Sequence, residues 1–369
     1  MKKGCGVHLL LIGALFVVLA ALFLYRFGEH LGVMWQNAQA IQDGQMEARA
    51  MRSPEDVWAY IVAHPETWSL VVLEGDSVVY GLSPEDRRAT AGLARVLTLA
   101  AFATSGIDTA EVVSGSDLTA WRLPGAENQT EPAADATLGA LAQRVASRGE
   151  VSAHDALLRR VGPERTQTLA AQYGMDAPRS LVGTFLSWNN HTFSTPPDTL
   201  VSVYAHLDSV ALNRQIRTLD EGYAVDATFR DAERAWRSRR EGQVPVATQA
   251  ALANVTFPTT SALAYARFLR DVVSNPTGPR SLVRNGLALP PAEDAPSATY
   301  MATAGGYFPG LVSFAATAHP EGSAPVTVVL LGVKVPLAVF YHLAQTGMDR
   351  GLVLGLASDP AYRAARLGP

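Results

Sequence analysis

Two β-patterned runs stand near the start of this chain and three near its end. About 185 residues of mostly helical pattern lie between them. Ser69 to Glu74 and Ser77 to Leu82 are rich in Val and Leu, and Gly75-Asp76 between them suits a tight hairpin. Thr299–Ala304, Leu311–Ala318 and Val326–Gly332 form the second group, separated by glycine-bearing turns. The stretch of about 105–290 is mostly helical with polar loops, of which 125–130 and 189–191 are the clearest. Strands at both ends of a helical middle predict one sheet assembled from both ends of the chain, with a helical lobe inserted. The fold class is therefore mixed α/β (α+β).

Helical signals complete this order. Ser53-Pro54-Glu55-Asp56 is a strong helix start, with a capping serine, a proline in the first turn and acids at the positive helix end. That helix is expected to run to His64, before Pro65. Thr90 to Thr104 is apolar except for Arg95 and a few small polar residues, which predicts a buried helix. A last apolar helix is expected over 336–344, with a second helical stretch to Ala357. Residues 205–255 enlarge the lobe. Within them, 229–240 patterns as a charged amphipathic helix, either a solvated face or a docking surface.

The N-terminal segment sets a location. Leu9 to Tyr25 is an uninterrupted run of apolar residues and glycine, following Lys2 and Lys3. As a helix it reaches roughly 26 Å, close to the ~30 Å hydrocarbon core. The expectation is a short cytoplasmic N-terminus (1–8), a membrane anchor (9–26), a juxtamembrane helix or stalk (27–52) and an extracytoplasmic domain (53–369). The only cysteine, Cys5, precedes the apolar run, so no internal disulfide forms. A net charge of −4 gives no footprint for nucleic acid.

The order helix, two strands, helical lobe, three strands, terminal helix resembles that of class A β-lactamases and penicillin-binding-type serine hydrolases. Three segments carry the resemblance. Arg87-Arg88-Ala89-Thr90-Ala91-Gly92-Leu93-Ala94-Arg95 is similar to the segment of the family's Ser-x-x-Lys motif, with Gly92 at the serine and Arg95 at the lysine. Gly149-Glu150-Val151, followed by Asp155-Ala156-Leu157-Leu158 and Gly162, is similar to the Ser-x-Asn segment, with Gly149 and Val151 at the motif positions. Ala304-Gly305-Gly306-Tyr307, before Pro309-Gly310, resembles the Lys-Thr-Gly strand, with Ala304 at the lysine. The resemblance covers roughly 53–360 and implies a β-lactamase-like fold.

The reactive side chains that the resemblance implies are not in the sequence. Lys2, Lys3 and Lys334 are the only lysines, and no Ser-x-x-Lys occurs anywhere. Glycine has no nucleophilic atom, and arginine does not give up its proton to act as a base. Residues 185–197 hold no acid. Ser152 is the candidate substitute nucleophile. The backbone of Gly92, Gly305, Gly306 and Tyr307 could still form a weak anion site. Substitute chemistries are missing too: no Gly-x-Ser-x-Gly elbow and no His-Glu-x-x-His occur, and the histidines are scattered. The expectation is a membrane-anchored pseudoenzyme that needs no cofactor or metal and binds a peptidoglycan peptide or an envelope protein. An active serine hydrolase with a non-standard nucleophile is the alternative.

Overall fold

Alternating burial organises the sheet. In the computed structural model, which describes residues 35, 37–39, 41–124, 133–192, 197–237, 239, 243–274, 277–289, 298–320 and 322–368, five strands form one antiparallel sheet. They are β1 (Trp68–Glu74), β2 (Ser77–Leu82), β7 (Ala298–Phe308), β8 (Leu311–Pro320) and β9 (Val326–Val333), in the order β2-β1-β9-β8-β7. The two ends of the chain meet where β1 pairs with β9, Val71 opposite Val329. Residues Val71, Leu73, Val329 and Leu331 join the core beneath the helical lobe. Leu70, Val72, Val328 and Leu330 face the opposite way, into a second core closed by the terminal helices. A period of two thus buries both faces of the central strands.

Most sequence expectations hold at the level of whole elements. Ser53 caps the helix Pro54–Ala63, accepting from the Asp56 amide at 3.3 Å. Gly75 takes φ 58° in the β1–β2 turn. Four small strands support the lobe: β3 (Arg87–Ala89) pairs with β6 (Thr259–Ser261), and β4 (Val112–Val113) with β5 (Ala136–Thr137).

Several details differ. The buried helix expected over 90–104 opens as a 3-10 turn, Ala91–Leu93, before the α-helix Ala94–Ala103. Strand β7 does not stop at Ala304; it continues through the glycines to Phe308, because the chain stays paired with β8 until the Pro309-Gly310 turn. Beyond Leu337–Thr346 and Met348–Ser358 there is a further helix, Pro360–Leu367. Residues 45–50 form a helix, and Ala48 and Met51 are buried in the core shared with the terminal helices. The packed body therefore begins before the expected boundary at residue 53. The expected anchor, 9–26, and the loop 125–130 lie outside the described residues. Among the described residues no helix is long and apolar enough to cross a membrane.

The amphipathic helix of the enlarged lobe is not a solvated face. It spans Ala227–Arg237 and docks on the body through its charged side. Glu233 is fully buried and accepts from His191 Nδ1 (2.8 Å), the His191 amide (2.9 Å) and Arg237 Nε (2.6 Å). Arg237 also donates to the carbonyls of Phe185 and Asn189, and Arg234 to those of Thr119 and Ala120. Arginines that terminate the carbonyls of other helices look polar in sequence yet are structural.

Candidate functional site: a closed cleft

The approach to Gly92 is fixed from both sides. Strand β3 pairs with β6, and the Thr90 amide and hydroxyl both donate to the Pro258 carbonyl at 3.0 Å. Ala91 is then forced to φ 41°, an uncommon left-handed conformation for a residue with a Cβ. That strain sits directly before Gly92, and the 3-10 turn packs against β7.

Contact there is backbone to backbone. A Cβ built on Gly92 would lie 2.8 Å from the Gly305 carbonyl oxygen and 3.0 Å from the Gly306 Cα. A Cβ on Gly306 would in turn lie 3.0 Å from the Gly92 Cα. Gly305 is constrained on its other side, where a Cβ would run into the Phe314 ring. The three glycines are needed because two main chains occupy the space in which side chains would stand. No serine fits at residue 92 unless β7 moves.

Arg95 and Gly149 complement each other in the same way. Gly149 ends the helix Leu138–Arg148 at φ 64°, and a Cβ there would overlap Arg95 Nη1. The long guanidinium fills the place of any side chain at residue 149. Burial lowers the Arg95 pKa, yet a guanidinium keeps its proton at neutral pH. Ala304 is buried in the core under the lobe. Gly92 thus meets the 305–306 segment of β7, and Arg95, three residues on, meets Gly149.

The cleft wall, among the described residues, is apolar and amide-bearing. A cleft of about 660 Å³ opens beside Gly92. Phe308 lies at its centre, with ring centroids 5.1 Å from Phe257, 5.3 Å from Trp188 and 5.8 Å from Phe185. Leu123, Val151, Leu181 and Val244 extend the apolar wall, and Asn37, Gln243 and Gln249 supply amides. Among the described residues no serine, threonine, cysteine, histidine or carboxylate lines it. Arg237 does, but is paired with Glu233. Tyr307 turns its hydroxyl away, donating to Asp349 at 2.8 and 3.0 Å. Burial and the Asp349 charge push that phenol far up, so it stays neutral. Val151 faces the cleft, whereas Ser152 is buried and donates to Glu150 Oε1 at 3.3 Å.

One polar chain escaped the sequence argument. His154 and Asp155, adjacent on the helix Val151–Val161, join Thr98: His154 Nε2 meets Thr98 Oγ1 at 3.0 Å and His154 Nδ1 meets Asp155 Oδ1 at 2.9 Å. All three residues are buried, and Thr98 has no exposure. Asp155 also accepts from the amides of Leu181 (2.9 Å) and Val182 (2.8 Å) and from the Ser180 hydroxyl (3.0 Å). Burial pushes its carboxyl up. The hydrogen bond and charge of His154, the Arg159 charge and the Val182 amide outweigh burial and hold it below its ordinary value. The neighbouring Asp220 goes the other way: burial and the Asp155 charge raise it, despite the bidentate Arg159. The network anchors the start of the helix Leu181–Trp188, which carries one cleft wall. The His154-Asp155 pair was visible in the sequence, but its partner 56 residues away was not.

His64 and His206 are satisfied within their own helices, His64 Nδ1 lying 2.8 Å from the Tyr60 carbonyl. His206 Nδ1 lies 2.7 Å from the Ser202 carbonyl, while Asp208 caps the helix Ser209–Val225. Among the described residues no cluster of three His, Cys, Asp or Glu could hold a metal ion.

No family model matches the chain, and no curated protein matches it. A solved structure with a similar fold is that of a variant of the last common ancestor of Gram-negative bacteria class A beta-lactamases, at 12% identity and a TM-score of 0.45, covering 82% of this chain and 95% of that one.

Proposed function

We propose that this protein is a β-lactamase-like pseudoenzyme, anchored in the membrane through residues 9–26, whose cleft binds an apolar segment of an envelope protein partner without hydrolysing it. One observation carries the loss of catalysis: the backbone of Gly305 and Gly306 fills the volume a side chain at residue 92 would need. The fold relationship is supported by the sheet built from both chain ends and by the meeting of Gly92 with the 305–306 segment and of Arg95 with Gly149. Catalysis by a serine needs a nucleophile within hydrogen-bond reach of a base, and the described cleft wall offers neither.

The wall chemistry favours a protein partner over a cell-wall peptide. A peptide carboxylate calls for a free cation, and the arginine on the wall is already committed to Glu233. Four aromatic rings with a few amides match an apolar side chain and its flanking peptide groups instead. Full-length protein mixed with benzylpenicillin or a fluorophosphonate should keep its intact mass. The cleft should bind an uncharged apolar peptide, and Phe308→Ala should weaken that binding about tenfold or more. A covalent adduct would overturn the reading. Tighter binding of a carboxylate-bearing muropeptide than of the apolar peptide would remove its partner half.

The hydroxyl–imidazole–carboxylate chain of Thr98, His154 and Asp155 favours one other reading, a hydrolase working from beneath the cleft. It requires the helix Ala94–Ala103 to open, since Thr98 is fully buried. An adduct lost in Thr98→Val would establish it.

A further inference from the structure

Beneath Gly92, walled off from the large cleft by residues 91–92 and 181, lies a pouch of about 20 Å³. Its wall is mostly apolar, from Ala91 to Pro258, and its polar side chains are Arg95, His154, Arg179 and Thr184. Two of these side chains are guanidiniums, and neither has a carboxylate in contact. Arg95 makes no ion pair or hydrogen bond among the described residues, and its buried Nε has no partner. The nearest titratable group acting on it is the Tyr265 phenol, which donates to the Leu93 carbonyl at 3.1 Å and is pushed far up by burial, so it stays neutral. Arg179 donates only to neutral acceptors: Asn213 Oδ1, the Thr256 carbonyl and, at 3.2 Å, Ser209 Oγ. Asp176 is the charge that acts on Arg179, but it is held by Arg87 and the Thr259 amide. Asp155 does not line the pouch and is spent on His154, Ser180 and two amides.

A buried guanidinium nitrogen with neither counter-charge nor acceptor is costly. An anion in the pouch removes that cost. Its volume exceeds the roughly 10–15 Å³ that one water-sized sphere requires, and is too small for sulfate, phosphate or a carboxylate with its substituent. We propose that this pouch binds one monoatomic anion of chloride or bromide size, with Arg95 Nε–H as its principal donor. The anion replaces the ion pairing that the chain does not supply. It also braces the Ala91–Leu93 turn against β7, so cleft closure becomes halide-dependent. This does not depend on what the large cleft binds.

Crystals of the unmodified protein grown in sodium bromide test the site directly. An anomalous peak in the pouch within hydrogen-bond reach of Arg95 Nε is expected. A peak with the scattering of a water only, and no anomalous signal, overturns the proposal. In solution, full-length protein in sodium chloride or bromide should melt higher than in sodium gluconate at equal ionic strength. The rise should be about 3 °C when the anion is at roughly tenfold its dissociation constant. Arg95→Met should abolish the difference between chloride and gluconate; a difference that persists in this variant overturns the proposal. If Arg95→Met does not fold, the bromide map decides alone.

Discussion

Placing a serine at residue 92 adds two heavy atoms where two backbones already touch. The Cβ alone would stand 2.8 Å from the Gly305 oxygen, 3.0 Å from the Gly306 Cα and 3.1 Å from the Gly305 carbonyl carbon, whereas ordinary contact begins near 3.4 Å. Strand β7 must then retreat by about 0.5 Å (the difference between those distances). It has little room to do so, because Gly305 is paired with Phe314 and already abuts that ring, and Gly306 is paired with Ser313. Overpacking of this kind costs about 1–3 kcal/mol. Thermal unfolding of Gly92→Ser should accordingly fall by roughly 2–10 °C. The double variant Gly92→Ser, Arg95→Lys creates the spacing Ser-x-x-Lys and is expected to form no penicillin adduct by intact-mass measurement, since the hydroxyl lacks the space in which to attack. Ala91→Gly is the control. It relieves a strained φ worth about 1 kcal/mol but gives up one buried methyl worth about 0.8 kcal/mol, so its stability should stay near that of the parent. A Gly92→Ser protein that melts with the parent, or a double variant that is acylated, would refute the claim that the site is closed by main chain.

Three further outcomes follow from the buried charges. Glu233→Ala should lower stability by about 3–5 kcal/mol in denaturant titration, because it strands the buried Arg237 guanidinium, whereas a loss under 1 kcal/mol would mean the helix Ala227–Arg237 is only loosely docked. Tyr307→Phe should cost about 1–3 kcal/mol at neutral pH. Burial already raises Asp349, so its folded form favours the proton: stability from this group is present below its ordinary value and lost as pH rises through the raised one, and the Tyr307→Phe loss should shrink in acid. Asp155 carries the opposite sign. Its folded value is depressed, so its contribution is complete above the ordinary value of 3.8 and disappears as pH falls through the depressed one; Asp155→Asn should flatten that acid limb while lowering stability at pH 7.

Local chemistry made much of the scaffold legible. Ser53 and Pro54 announce a helix start whatever surrounds them, and Gly75-Asp76 turns a hairpin by its own backbone preference. The end of β7 was not legible, because glycines at 305 and 306 look like a turn until pairing with β8 is known. Charged residues at 227–237 look solvated until His191 and the carbonyls of Phe185 and Asn189 arrive from elsewhere in the lobe.

The order of strands and helices, and the lack of a serine three residues before any lysine, belong to the sequence alone. Short-range propensity and the chemical identity of side chains need no coordinates. Whether residues 92, 149 and 304 leave an open pocket was decided only in three dimensions. Gly92 meets Gly306 across 214 positions of chain, and Arg95 reaches Gly149 across 54. The aromatic wall gathers Phe185 and Trp188 from the helix Leu181–Trp188, Phe308 from the end of β7 and Phe257 from just after the helix Val246–Thr256. Excluded volume between residues distant in sequence has no periodicity or motif, and here that excluded volume fixes what the cleft can hold.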